Sequence, residues 1–476
     1  MAKLGDDIFF ASITELNTKL KAGEFTAREL AEAFCRRLEE MGPAYNALAL
    51  SLRKRAIKKA KDVDGDLKRK RYRGPVQGIP FGAKDLLAVE GVPTTWGAKP
   101  YADQVFDDTA TALRKLEGKG AVLTGKLAMV ELAGGGGYST PAASLTGPGL
   151  NPWDKTKWSG GSSSGPGAAV AAGLVTFALG SETNGSILTP SAYCGVTGLR
   201  PTYGYVSRYG AMPLSWTLDK IGPMCRSAED CGHVLQAISG GDYEDPTSAG
   251  KSFYYAPKFA RKFPDLTIGY APVDFEEWAE KPLRAPLKEA LDTLLALGFK
   301  VKEIELPEMP YGPVTGTIID AEGSAVFEPL IKSGRVEQLA DPDQIAGLKA
   351  GLELKAAEYF RAMRIRRMIQ HAFRELFVDI SILVAPTRTR TAPSALEPFP
   401  KSDAGAPQPK SRGLHDLIPA GNLAGLPALS LPCGFAGGLP VGISLVGRPF
   451  YENTLIAAGK AFQGQTDWHR RRPPGT

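Results

Sequence analysis

Apolar side chains recur along this chain with two different periods, and the alternation between them predicts its elements. Ser12 with Glu15, and Thr26 with Glu29, have the spacing of a capping box, and the second opens a run that puts Leu30, Phe34 and Leu38 on one helical face. With the polar, basic helix after them, these predict a helical brace over residues 1–70. Val76 to Ala83 reads as a buried strand, Thr109 to Leu116 as a helix and Ala121 to Thr124 as the next strand. The rhythm returns as strand Leu266 to Tyr270, helix Pro286 to Leu297, strand Val301 to Ile304, helix Ile345 to Phe377 and strand Ile380 to Val384. Such alternation predicts an α/β fold with helices covering both faces of a sheet.

Gly240 to Pro264 and Arg388 to His415 are long and loop-like, but strand-forming segments stand on both sides of each. One large domain over 1–476 is therefore expected, with 388–415 as a surface flap. The composition, 43% apolar and 23% charged over 476 residues, fits a folded globule and excludes wholesale disorder, collagen and coiled coil.

Its 57 basic and 51 acidic side chains leave a net charge of +6, too little for a chain of this size to demand a nucleic-acid partner. The basic clusters Arg53 to Arg73, Arg361 to Arg374 and Arg470 to Arg472 read as solvated helix faces, the first interrupted by Asp62, Asp64 and Asp66. Cysteines and histidines show no CxxC or HExxH spacing, so neither a metal nor a disulfide framework is expected, and the compartment should be reducing. Met1 to Asp7 has no apolar leader, and Ala168 to Leu179 falls far short of the ~20 residues of a bilayer span. The expected location is the cytoplasm, with no membrane partner.

Glycine, serine and threonine concentrate between Gly134 and Ser191, where a backbone with few large side chains can present N–H groups to an anion or an oxyanion. A phosphate loop is excluded: no GxxxxGK pattern occurs, and no lysine lies between Gly160 and Gly173. Gly161-Ser162-Ser163-Ser164-Gly165 matches GxSxG, but a nucleophile elbow follows a buried strand, and Asn151 to Trp158 reads as polar and turn-like. The third reading rests on Ser186, in Asn184-Gly185-Ser186, where a glycine-containing turn meets the start of a short helix. There a hydroxyl can stand beside its own oxyanion donors. With no histidine nearby in sequence, a lysine neutralised by burial is the natural base, and Lys84 ends the apolar run Gly78 to Ala83. The alternative for Lys84 is a surface pair with Asp85.

The segments GIPFGAKD from Gly78, GGSSSGPGAAVAAG from Gly160 and GSETNGSILTPSAYCGVTGLRPTYG from Gly180 resemble the amidase signature family. So do NPW at Asn151, LDKIGP at Leu218, GNLAGLPALSLPCGF from Gly421 and GLPVGISLVGRPF from Gly438. The resemblance implies one large domain with a central mixed sheet covered by helices, the core that carries the chemistry spanning 75–235. It also implies hydrolysis of amide C–N bonds by a Ser, cis-Ser, Lys triad without a cofactor. Ser186 would be the nucleophile, Ser162 the bridging serine after a cis peptide at Gly161, and Lys84 the base. The 24-residue interval from Ser162 to Ser186 agrees with that register. Thr183, Asn184 and Gly185, with Ser186, would supply the oxyanion N–H groups, and Ser163 would hydrogen-bond Lys84.

Two departures bear on substrate. Asn184-Gly185-Ser186-Ile187-Leu188 stands where the family usually has Gly-Gly-Ser-Ile-Arg, and Pro166 replaces a usual serine. Leu188, with Gly135 and Gly136 of the run Gly134 to Gly137, suggests a wider, apolar pocket; the run also reads as a merely flexible loop. Expected substrates are small neutral aryl amides and carbamates (urethanes), acted on by a monomer or homodimer. The alternative is the glutaminase subunit of a tRNA-dependent amidotransferase, suggested by GYVSRYG at Gly204 to Gly210, with Leu188 against it. An inactive scaffold is disfavoured by the joint retention of Lys84, Ser162 and Ser186.

Overall fold

Both capping boxes form. Ser12 caps helix Ile13–Ala22 and Thr26 caps helix Ala27–Met41, each hydroxyl accepting from the N–H three residues on while the glutamate reaches back. Leu30, Phe34 and Leu38 are fully buried along the second helix. The structure is a computed structural model that describes residues 4–257, 261–399 and 411–476.

In chain order the strands are β1 (Leu48–Ser51), β2 (Pro80–Lys84), β3 (Val122–Leu127), β4 (Leu150–Asn151), β5 (Asp154–Trp158), β6 (Phe177–Glu182), β7 (Thr197–Arg200), β8 (Lys220–Cys225), β9 (Thr267–Tyr270), β10 (Lys300–Glu303), β11 (Ile382–Pro386), β12 (Ala428–Ala436) and β13 (Leu439–Gly447). Eleven of them form one sheet in the order β1-β3-β2-β6-β8-β7-β12-β13-β11-β9-β10, and β4 and β5 form a separate hairpin. The sheet is mixed: β2 runs parallel to β3 and β6, whereas β8, β7, β12 and β13 pair antiparallel.

Helices cover both faces. Gly442 of β13 lies against Ala192 of helix Leu188–Cys194, while Leu429 and Leu431 of β12 lie against Gly459 of helix Glu452–Gln465. Leu431 pairs with Ile443, the neighbour of Gly442, and adjacent residues of a strand point to opposite faces. This is the expected single α/β domain with a mixed central sheet.

Several expectations shift. The brace also supplies β1, an edge strand paired with β3. The strand expected from Val76 begins at Pro80, because 76–79 close a turn in which Ile79 N–H donates to Val76 O and Gly78 takes φ +79°. The long helix expected from Ile345 is two, Pro342–Gly351 and Ala356–Asp379. Gly351 packs so closely on Ser324 of helix Tyr311–Val326 that a Cβ would not fit. Asn151 to Trp158, expected as a turn, is the β4–β5 hairpin. The segment expected as a surface flap runs beside β5 over 388–399, with Trp158 N–H donating to Pro393 O and Ala395 N–H to Thr156 O. Residues 400–410 of it lie outside the described residues. Among those described, no helix is long and apolar enough to cross a membrane.

Candidate active site

β2 lies in the sheet between β3 and β6 and is buried along its whole length, and Lys84 is its last residue. The register Ala83 to Leu179 sets Lys84 abreast of Gly180, next to Ser181 within β6. Lys84 is 0% exposed. Its Nζ lies 2.7 Å from Ser162 Oγ and 2.9 Å from Ser181 Oγ. It does not pair with Asp85, whose carboxylate is taken by Lys126 at 2.6 Å. Burial therefore acts on Lys84 without an ion pair to offset it, and pushes its pKa down to about 7 against the weaker pull of Asp219 and Glu182.

Ser162 follows a cis peptide bond from Gly161. Its carbonyl accepts from Val130 N–H at 3.1 Å, and the next residue, Ser163, donates its N–H to Ser186 O at 3.3 Å, which ties the two serine segments together. Ser163 opens helix Ser164–Ala171 and is fully buried. Its hydroxyl does not reach Lys84, contrary to expectation: it donates to Ser181 O at 3.1 Å and accepts from Ser181 N–H at 3.3 Å. The side chain that meets Lys84 is Ser181, and Ser163 fixes the backbone that carries it.

Ser186 sits in the turn between β6 and helix Leu188–Cys194 and is 8% exposed. Gly185 takes φ +90° there, which glycine adopts without steric cost. Glu182, the last residue of β6, folds one carboxylate oxygen onto the N–H groups of Ile187 (2.9 Å) and Leu188 (3.0 Å). The N–H groups of Asn184, Gly185 and Ser186 have no acceptor among the described residues. Glu182 in turn is held by Arg200 Nη1 at 2.9 Å and Asn422 Nδ2 at 3.0 Å, all three side chains fully buried. Thr183 Oγ1 donates to Asp219 at 2.6 Å. Sequence reasoning missed Ser181, Glu182, Arg200, Asp219 and Asn422.

Two cavities flank this turn. One, of about 260 Å³, touches Asn184 and Leu188 and is lined also by Arg200, Arg388, Thr387 and Ser444. The other, of about 180 Å³, touches Ser181 and Thr183 and has apolar walls from Leu86, Ala133, Met212, Leu214, Trp216 and Ile221, with Asp219 and Lys220 among its polar groups. The first is not the apolar pocket expected at Leu188. Gly135 and Gly136 line neither cavity. They are packing glycines under helix Pro342–Gly351: Gly135 O accepts from Gln344 Nε2 at 2.9 Å, and a Cβ on Gly136 would lie 2.6 Å from Gln344 O. Among the described residues no group of His, Cys, Asp and Glu is placed to hold a metal ion.

The family model for amidases matches residues 29–456. This chain belongs to the amidase signature family. It is 37% identical over 492 aligned positions to a glutamyl-tRNA(Gln) amidotransferase component from Moorella thermoacetica, covering 98% of this chain and 99% of that one. Among solved amidase folds it is similar to the peptide amidase of Stenotrophomonas maltophilia, at 28% identity and TM-score 0.83 over 98% of each chain. A chain from a vestigial protein complex that bears on the origins of an s-triazine catabolic enzyme matches at 30% identity and TM-score 0.86, over 96% of this chain and 98% of that one. Amidases of this family act on C–N bonds, and Lys84, Ser162 and Ser186 all lie inside the matched span.

Proposed function

We propose that this amidase hydrolyses amides through an acyl-enzyme on Ser186. The observation that carries the reading is a fully buried Lys84, pushed to about 7, within 2.7 Å of Ser162. In the proposed cycle Ser186 attacks the carbonyl carbon while its proton passes through Ser162 to Lys84. The N–H groups of Thr183, Asn184, Gly185 and Ser186 take the oxyanion. Collapse breaks the C–N bond as Lys84 returns the proton, through Ser162, to the leaving nitrogen. Water then cleaves the ester along the same relay and regenerates the Ser186 hydroxyl.

Likeness to components of glutamyl-tRNA(Gln) amidotransferases supports a primary amide with a polar acyl part, glutamine included, which would release ammonia in a chain that works beside further proteins. The mixed lining of the cavity at Asn184 supports it as well. A second reading, neutral aryl amides or carbamates, is supported by Leu188 in place of arginine and by the apolar walls beside Trp216. A carbamate would lose its amine first and leave a carbonate ester that hydrolyses to CO2 and an alcohol.

One assay separates the two: purified chain against glutamine, an aryl anilide and an aryl carbamate, following ammonia or amine release. Fastest turnover of glutamine supports the first reading, and fastest turnover of either aryl substrate the second. Absence of both turnover and covalent labelling at Ser186 by a fluorophosphonate overturns the acyl-enzyme itself.

A further inference from the structure

We infer that Asp219 is a positioning residue for the reaction at Ser186: by holding the Thr183 hydroxyl it fixes the start of the turn whose N–H groups receive the oxyanion. The inference rests on the acyl-enzyme reading and adds to it a residue outside the Lys84, Ser162 and Ser186 relay.

The turn is held from two sides by two different carboxylates. On its far side Glu182 takes the N–H groups of Ile187 and Leu188. On its near side Thr183 leaves β6 and is buried, and its hydroxyl makes one hydrogen bond among the described residues, to Asp219 Oδ1 at 2.6 Å. The sheet brings these two together. β6 and β8 are antiparallel with Glu182 opposite Lys220, so the residue after Glu182 meets the residue before Lys220. A hydroxyl that donates to a carboxylate at this distance makes a short, charge-assisted bond.

Asp219 is itself clamped. Its Oδ2 accepts from Leu214 N–H at 2.8 Å and Ser215 N–H at 2.9 Å, and its own N–H donates to Ser215 O at 2.8 Å. The same loop is tied to helix Tyr311–Val326, whose buried Glu322 accepts from the Ser215 hydroxyl and from Thr217 Oγ1 at 2.8 Å. Asp219 therefore joins a braced loop to Thr183. Between the two carboxylate anchors the turn has little else to hold it: Gly185 is left-handed, and the N–H groups of Asn184, Gly185 and Ser186 have no acceptor among the described residues. Oxyanion donors act through a placement fixed before the reaction, and the bond from Thr183 to Asp219 fixes one end of it.

The charge of Asp219 has a second effect. Among the charges acting on Lys84 it is the strongest, ahead of Glu182, and both favour the protonated amine against burial. Lys220 and Arg200 act in turn on Glu182, Arg208 acts on Asp219, and Asp85 is spent on Lys126. Burial raises the Asp219 pKa, and the donors Thr183, Ser215 and Leu214 work against that rise. Taking away the charge at 219 lowers the Lys84 pKa further, whereas taking away the Thr183 hydroxyl leaves that charge in place.

The test uses the full chain with the fastest of glutamine, an aryl anilide and an aryl carbamate as substrate. It reads kcat, KM and the rate at which a fluorophosphonate labels Ser186. Thr183→Val, which keeps the N–H and loses the hydroxyl, should lower kcat and the labelling rate roughly ten- to a hundredfold and leave KM within about twofold. Thr183→Ser, which keeps the hydroxyl, should recover most of both. Asp219→Asn should show the same loss and also move the midpoint of the kcat/KM pH profile down, a shift absent from Thr183→Val. The double variant should be no worse than Asp219→Asn alone, since both changes remove one contact. Parental kcat in Thr183→Val, or a loss that Thr183→Ser does not recover, overturns the role of Asp219 even where Asp219→Asn fails to fold. A parent protein that neither turns over substrate nor labels at Ser186 overturns the acyl-enzyme reading instead.

Discussion

Glu182 and Arg200 form an ion pair of 2.9 Å with neither side chain exposed. Burial alone would raise the glutamate pKa, but the charges of Arg200 and Lys220 and the hydrogen bond from Asn422 hold it below the ordinary carboxylate range. A permanent charge is therefore fixed under the turn. It claims the N–H groups of Ile187 and Leu188, so the turn is shaped by a carboxylate as much as by its glycine.

The nucleophile is checked by covalent labelling. A fluorophosphonate should modify Ser186 alone, and Ser186→Ala should fold normally and lose nearly all turnover. Peptide mapping that placed the adduct on Ser163 would restore the GxSxG reading, against the full burial of that side chain.

Activity should rise with pH through about 7 and then level. As the proposed base, Lys84 would act only when neutral; below its depressed pKa the buried amine is charged, and above it the free amine accumulates. The plot of kcat/KM against pH measures this directly. Lys84→Arg keeps a cation that does not deprotonate in this range, so near-parental activity in that variant would falsify the assignment.

Ser181→Ala should lower kcat by roughly ten- to a hundredfold, because the base loses the contact that aims it at Ser162. A charged Lys84 would also lose an acceptor, so the midpoint of the pH profile should move further down. Ser181→Thr should restore both. A loss of activity with an unmoved midpoint would mean that Ser181 merely supports the strand.

Gly136→Ala should lower the melting temperature and leave KM alone. Gly136 has φ +81° and an added Cβ would lie 2.6 Å from Gln344 O, a combination that costs roughly 1–3 kcal/mol. Gly137→Ala is the control, with φ +82° but nothing within 4 Å. An altered KM with unchanged melting would return Gly136 to the substrate pocket.

How much of this was legible depended on distance along the chain. Lys84 was readable because a charge ends an apolar run, and Ser186 because a glycine turn precedes a short helix; both are local signals. Their register came from a family resemblance. Glu182 lay inside the same motif but looked like any polar residue ending a strand. Arg200 and Asn422 could not be placed, since only the pairing of β7 with β12 brings 182 and 422 together. Periodicity also ran on through Gly351, where the helix breaks, and an apolar run could not tell the buried turn at 76–79 from a strand. Gly135 and Gly136 read in sequence as open space, while in the fold helix Pro342–Gly351 lies on that backbone.

The interval of 240 residues between Glu182 and Asn422 has a consequence for biosynthesis. Lys84, Ser162 and Ser186 all leave the ribosome before residue 200, yet the underside of their turn is completed by a helix, Leu417–Leu423, made near the end of translation. Contacts so far apart in sequence form late. A fragment cut before residue 417 would carry Lys84, Ser162 and Ser186 without the Asn422 hydrogen bond to Glu182, and under the proposed mechanism it should be inactive.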